Sequence, residues 1–137
     1  MIDNKEKWHE KCHMNEKCLK YDICPMVLVQ KIISGKWKIL ILWYLSYNTL
    51  RFNEIKKRLP YATQKMLTQQ LRSLEKDKLI FRRVYPVVPP KVDYGLTEIG
   101  KRIIPILEMM HGFGSEYLEQ GYDGASLFQD FVTNGEL

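Results

Sequence analysis

TQKMLTQQLRSLEKDKLI, residues 63–80, is the most regular stretch of the chain. Thr63 suits a helix N-cap, because its hydroxyl can accept a bond from an amide two or three residues on. Leu67, Leu71 and Leu74 come at i, i+4 and i+7, the spacing that lines side chains up on one helical face. That stripe reads as core. The other side carries Gln64, Lys65, Thr68, Gln69 and Arg72. These are hydrogen-bonding groups, in place of the Glu/Lys mixture of an ordinary solvated face. The stretch predicts a helix with one face buried and the other presented to a polar partner.

Beyond Ile80 the chain turns β-prone. FRRVYP (81–86) and KVDYGL (91–96) are short strand-like runs, and VVPP (87–90) between them cannot be helix, so the pair predicts a hairpin with a stiff, proline-containing tip. Thr97 then caps a long helix with Glu98 in its first turn and an apolar stripe of Ile99, Ile103, Ile106, Leu107 and Met110. Pro105 is expected to kink that helix. Upstream, RFNEIKKRL (51–59) puts Phe52, Ile55 and Leu59 on one face and Lys56, Lys57 and Arg58 elsewhere, and Pro60 ends it. KWKILILWYLSY (36–47) is apolar on nearly every side, the mark of a helix buried inside a small domain. From Cys24 another helical pattern runs to Ser34-Gly35. Residues 1–23 read as a polar arm or short helix, residues 24–118 as the folded domain, and residues 119–137 as an acidic tail with no assigned structure.

Three helices, a polar-faced helix, a hairpin and a last helix give a mainly α chain with a small β-hairpin, the order of a winged helix-turn-helix. In such a module the polar-faced helix enters the major groove of double-stranded DNA. Gln and Arg can each bond a base edge through two contacts, Gln to adenine and Arg to guanine. Lys56, Lys57 and Arg58 would meet phosphates and set register. Arg82, Arg83 and Lys91 flank the hairpin, where a wing meets the backbone or minor groove. Arg82 and Arg83 alternate across a strand, so one of the two is expected to point outward.

The charge distribution agrees. Residues 1–23 hold five Lys and five acids, residues 24–102 hold 16 Lys/Arg and five acids, and residues 103–137 hold six acids with no Lys or Arg. A basic middle beside an acidic end calls for a polyanion partner at the middle. Residues 1–23 are densely charged and lack the apolar core of a signal peptide, so none is expected there, and the longest apolar run, ILILWYL (39–45), is too short to span a bilayer. A cytoplasmic protein with no membrane partner and no cofactor is expected. A catalytic cysteine with His9, His13 or His111 as base would make an enzyme, but no phosphate loop, carboxylate pair or metalloprotease pattern is present. The remaining class is a winged helix that docks a protein through its apolar helices.

The residues also resemble the HxlR-type family of winged helix-turn-helix transcriptional regulators, in the MarR-like group. The matching stretches are CP (24–25), GKWKILIL (35–42), RFNEIKKRLP (51–60), KMLTQQLRSLEKDKLI (65–80) and RRVYPVVPPKVDYGLTEIG (82–100). The resemblance implies a homodimer, joined through the first and last helices, that binds an inverted-repeat operator, most simply as a repressor. By it, Thr63, Gln64, Lys65, Thr68, Gln69 and Arg72 are the recognition-helix residues, and Arg82, Arg83 and Lys91 the wing residues. Two departures stand out. Lys78 takes the place of a usual Gly after Asp77, which is expected to alter how the hairpin leaves the helix. Tyr61-Ala62-Thr63 replaces the usual entry to the recognition helix.

Cys24 stands directly before Pro25, so Pro25 fills the first helical position and the thiol the N-cap. Amide N–H groups and the helix dipole there favour thiolate, the form that oxidants and electrophiles attack, and Lys31 and Lys36 add positive potential. Several regulators of the resembled family sense oxidants or electrophiles through a cysteine at this place. Modifying Cys24 would shift the first helix at the dimer interface and change DNA affinity. The plainer reading is a small buried residue. Cys12 or Cys18 could resolve an oxidised Cys24. Alternatively His9, Cys12, His13 and Cys18 could ligate zinc or copper, and the regulator would answer to a metal or a small ligand. The sequence names no inducer.

Overall fold

The computed structural model describes residues 24–133. The chain divides into two compact units, Met1–Ser34 and Gly35–Leu137. In the first, helix α1 (Pro25–Ile33) begins with Pro25, whose missing N–H costs nothing in a first turn. Ser34 ends it in extended backbone.

The second unit runs α2 (Lys38–Leu45), β1 (Leu50–Arg51), α3 (Phe52–Arg58), α4 (Gln64–Lys76), β2 (Ile80–Tyr85), β3 (Lys91–Leu96), α5 (Glu98–Lys101), α6 (Ile104–Glu119) and α7 (Gly124–Thr133). The three strands form an antiparallel sheet in the order β1-β3-β2. The fold is thus mainly helical with a small sheet, as expected, but the hairpin has a third strand. β1 pairs Leu50 with Tyr94 and Arg51 with Asp93. Two residues are too few to show alternation, so the pattern gave no sign of it.

The core is built where the helices meet the root of the sheet. Ile41, Leu42 and Leu45 of α2, Ile55 of α3, Leu67, Leu71 and Leu74 of α4, Ile80 of β2 and Leu96 of β3 are all buried. The leucine stripe of α4 is therefore core, and truncating one of these leucines to Ala would cost about 2–5 kcal/mol.

α4 ends on a Schellman turn. The Leu79 amide donates to the Leu74 carbonyl and the Lys78 amide to the Glu75 carbonyl, each at 3.0 Å. Lys78 takes the left-handed conformation (φ 65°) that Gly commonly fills. Lys78 thus closes the helix in the conformation that a glycine would take there.

The long helix expected from Thr97 is two helices. The Thr97 hydroxyl caps α5 by accepting from the Gly100 amide at 3.1 Å, and α5 ends at Lys101. Pro105 cannot continue a helix that includes the carbonyl of Lys101, so α6 starts anew with Pro105 in its first turn. Of the expected stripe only Ile103 and Leu107 are buried, while Ile99, Ile106 and Met110 are exposed. The C-terminal stretch is also more ordered than its composition suggests. α7 forms there, and its Phe131 ring packs edge-on against Trp37, centroids 5.2 Å apart.

Candidate nucleic-acid interface

The Thr63 hydroxyl accepts the Met66 amide at 3.1 Å and fixes where α4 begins. With 3.6 residues per turn, the helix presents three different polar edges. Lys65, Gln69 and Lys76 lie along the outer face and are exposed. Thr68 and Glu75 lie on the flank that faces the sheet, and Arg72, between that flank and the outer face, lines the same cleft. Gln70 and Ser73 occupy the other flank and are already engaged: Gln70 Oε1 accepts the Trp37 amide at 2.7 Å, and Ser73 Oγ accepts the Lys38 ammonium at 2.8 Å. Of the predicted recognition residues, Thr63, Gln64, Lys65, Gln69 and Arg72 are exposed. Thr68 is half-buried and its hydroxyl donates to the Gln64 carbonyl at 2.8 Å, so its hydrogen is committed to the helix.

Both arginines of β2 are exposed, against the expectation that only one would be. Alternation sends them to opposite faces of the strand, and neither face buries its arginine. Arg82 pairs in register with Tyr94, and both line a cleft of about 490 Å³ with Thr68, Arg72 and Glu75. Arg83 lies on the opposite face with its guanidinium 5.1 Å from the centre of the Phe81 ring. Its register partner Asp93 is 3.9 Å from Arg51 Nε. Lys91 opens β3 at the wing tip and lines a second cleft with Arg51, Asn53 and the Val87–Pro90 turn. The structure therefore gathers Thr68, Arg72 and Arg82, and sets Arg83 and Lys91 apart from them.

Lys57 and Arg58 of α3 are exposed, and the Arg58 guanidinium donates to the Glu54 carbonyl at 3.1 Å. Sequence reasoning missed Tyr94 and Glu75. The alternation of KVDYGL could have placed Tyr94 on one strand face, but only the register shows that this is the face of Arg82.

In the first unit, Cys24 is the N-cap of α1, with extended backbone (φ −66°, ψ 122°) and its carbonyl accepting the Leu28 amide at 3.0 Å. The thiol is half-buried and closes no side-chain cap bond. Lys31 lies in the last turn, seven residues on and so about 10 Å further along the axis, a distance over which salt screens most of its potential. Lys36 is buried in the second unit, its ammonium 5.2 Å and 5.0 Å from the centres of the Trp37 and Phe131 rings. His9, Cys12, His13 and Cys18 lie outside the described residues. Among those described, no group of three or more His, Cys, Asp or Glu is placed to hold a metal, and no helix is long and apolar enough to cross a membrane. His111 is exposed and stacks on Trp43.

Comparison with known proteins places this geometry. The profile of a family described as HxlR-like helix-turn-helix matches residues 32–122. The HTH-type transcriptional regulator YtcD of Bacillus subtilis is 43% identical over 119 residues, covering 86% of this chain and 94% of its own. The redox regulator HypR in its oxidised form superposes with a TM-score of 0.65 at 43% identity, over 68% of this chain and 96% of that one. The reduced form of the transcriptional regulator YodB from B. subtilis superposes with a TM-score of 0.64 at 32% identity, over 72% of this chain and 97% of that one. These relatives are named as regulators, none as an enzyme.

Proposed function

The chain belongs to the HxlR-like helix-turn-helix family of transcriptional regulators, and from that premise we propose that it is a sequence-specific repressor. It binds an inverted-repeat operator as a homodimer in the cytoplasm, and oxidation or electrophile modification of Cys24 switches it. Residues 24–118 form the DNA-binding and dimerisation domain, residues 1–23 an arm, and residues 119–137 an acidic tail.

The observation that carries this reading is the outward face of α4. It offers Lys65 and Gln69 to a groove from a capped helix, with Gln64 exposed in the first turn and cationic residues on α3 and the hairpin. Gln64 and Gln69 read base edges, Lys65 reads a base or holds a phosphate, and Thr63 sets the helix start. Arg83 and Lys91 meet the backbone from the wing. Dimerisation is supported by α6, whose Ile106, Met110, Phe113 and Tyr117 recur at helical spacing and are exposed. The thiol switch is supported by Cys24 at a helix N-terminus and by the likeness to HypR, a redox regulator.

The test is the affinity for duplex DNA flanking the protein's own gene, measured with reduced protein, with oxidant-treated protein, and with Cys24→Ser. Oxidation is expected to change wild-type affinity by about tenfold or more, equivalent to at least 1.4 kcal/mol, and to leave Cys24→Ser unchanged. Equal binding in every condition would remove the thiol switch and leave a regulator answering to a ligand or metal. No binding to any duplex would remove the DNA-binding reading itself.

A further inference from the structure

We propose that Arg72 and Arg82 act together as one clamp on a single phosphodiester of the DNA backbone, held in the cleft between α4 and β2. The proposal rests on the DNA-binding reading above and changes the role of Arg72 within it. At sequence level Arg72 belongs with the base-reading residues. In the fold it stands where the outer face of α4 borders the sheet-facing flank, and it lines the same cleft as Arg82.

Three observations lead there. First, the cleft is lined by two guanidinium groups from different elements, and neither forms an ion pair among the described residues, where the salt bridges are Arg51–Asp93 and Lys101–Glu98. Unpaired arginines in a polar cleft present donors in the fork that matches phosphate oxygens. Second, the other walls leave those donors available. Thr68 has committed its hydroxyl hydrogen to the Gln64 carbonyl, and the ring of Tyr94, opposite Arg82 in the sheet, closes a side. Third, Glu75 contributes one negative charge, so the cleft carries a net charge of one positive unit. That matches a phosphodiester, which bears one negative charge, better than a free phosphate or a terminal monoester, which bears up to two. The register of the sheet thus lets the wing strand and the recognition helix hold the same atom group. One contact then fixes the position of both relative to the duplex.

The experiment is a double-mutant cycle on duplex binding, with Arg72→Ala, Arg82→Ala and the pair, each measured on the operator and on a random duplex. Each single change is expected to weaken both duplexes by about tenfold and to lower the salt slope by about one. The pair should weaken binding little more than either alone. A set of operator duplexes, each with one uncharged methylphosphonate, identifies the phosphate: one position should weaken the wild type and leave either variant unaffected. Arg72→Lys, which keeps charge but not the fork, should recover only part of the loss, and melting curves confirm that each variant is folded. Loss confined to the operator, or two losses that multiply independently, would overturn the clamp while leaving DNA binding intact. A wild type that binds no duplex would instead overturn the reading on which the clamp rests.

Discussion

Lys78 holds a left-handed conformation that costs a non-glycine residue about 1–2 kcal/mol. The strain persists because its neighbours determine the turn. Leu74 and Leu79 are both buried, and the Leu79 carbonyl accepts the Thr97 amide at 3.1 Å. The Thr97 hydroxyl lies 2.6 Å from the Lys78 carbonyl and 3.1 Å from that of Leu79. Lys78→Gly should therefore stabilise the fold by about 0.5–1 kcal/mol, part of the strain relief being lost to the greater freedom of unfolded glycine. A urea midpoint that rises with an unchanged slope would show it. A fall would mean that the lysine side chain contributes more than the strain costs. Gly100 makes the opposite case. A Cβ there would overlap the Leu79 carbonyl, which backbone bonds hold in place. Gly100→Ala should cost about 2–3 kcal/mol, read from the same transition.

The helices show which parts of this fold are legible in sequence. The α4 stripe, its Thr63 cap and the hairpin were readable because each depends on residues close together in the chain. The third strand, the restart of α6 at Pro105 and the order of α7 were not. β1 gains its identity only from pairing with β3, and α7 from packing Phe131 against Trp37, ninety-four residues earlier. Lys38 is the sharpest example. The pattern of residues 36–47 marks a buried helix but gives no partner for its lysine, and Lys38 is buried with its ammonium on Ser73 Oγ of α4. That contact also explains why α4 offers fewer polar residues to a partner than its composition suggests. Ser73→Ala should leave a buried ammonium short of an acceptor and cost about 1–3 kcal/mol. Lys38→Met in the Ser73→Ala background removes the orphaned charge and should recover most of that stability. If Ser73→Ala alone proves neutral, water reaches Lys38 and the α2–α4 contact is not closed. The same limit applied to the candidate site. Periodicity found the exposed residues of α4, but not which shared a cleft with Arg82, because that depends on the register of β2 with β3.

At the scale of the whole molecule, charge and apolar surface divide the labour. The basic stretch, residues 24–102, holds α4 and the hairpin, while residues 103–137 carry only acids as charged groups and include α6. Like charges on a duplex-binding face are neutralised by phosphate, so binding should weaken steeply with salt. Beside its exposed acids, α6 also leaves a large apolar stripe uncovered: Phe113 is 69% exposed and Met109 77%. A helix that leaves rings and thioethers in water on one stripe gains most by meeting a second copy of itself. Phe113→Glu places a charge in the middle of that stripe and leaves the core intact, since Phe113 is largely exposed and its ring lies near that of Tyr117. The variant should remain folded by circular dichroism and sediment as a monomer. Its affinity for a duplex with two half-sites should fall by about 10²–10⁴, the advantage lost when two tethered modules are uncoupled. It should then bind two half-sites no better than one. A variant that still sediments as a dimer would place the subunit contact away from Phe113, and a wild type that is itself monomeric at the concentrations of the binding assay would remove the homodimer altogether.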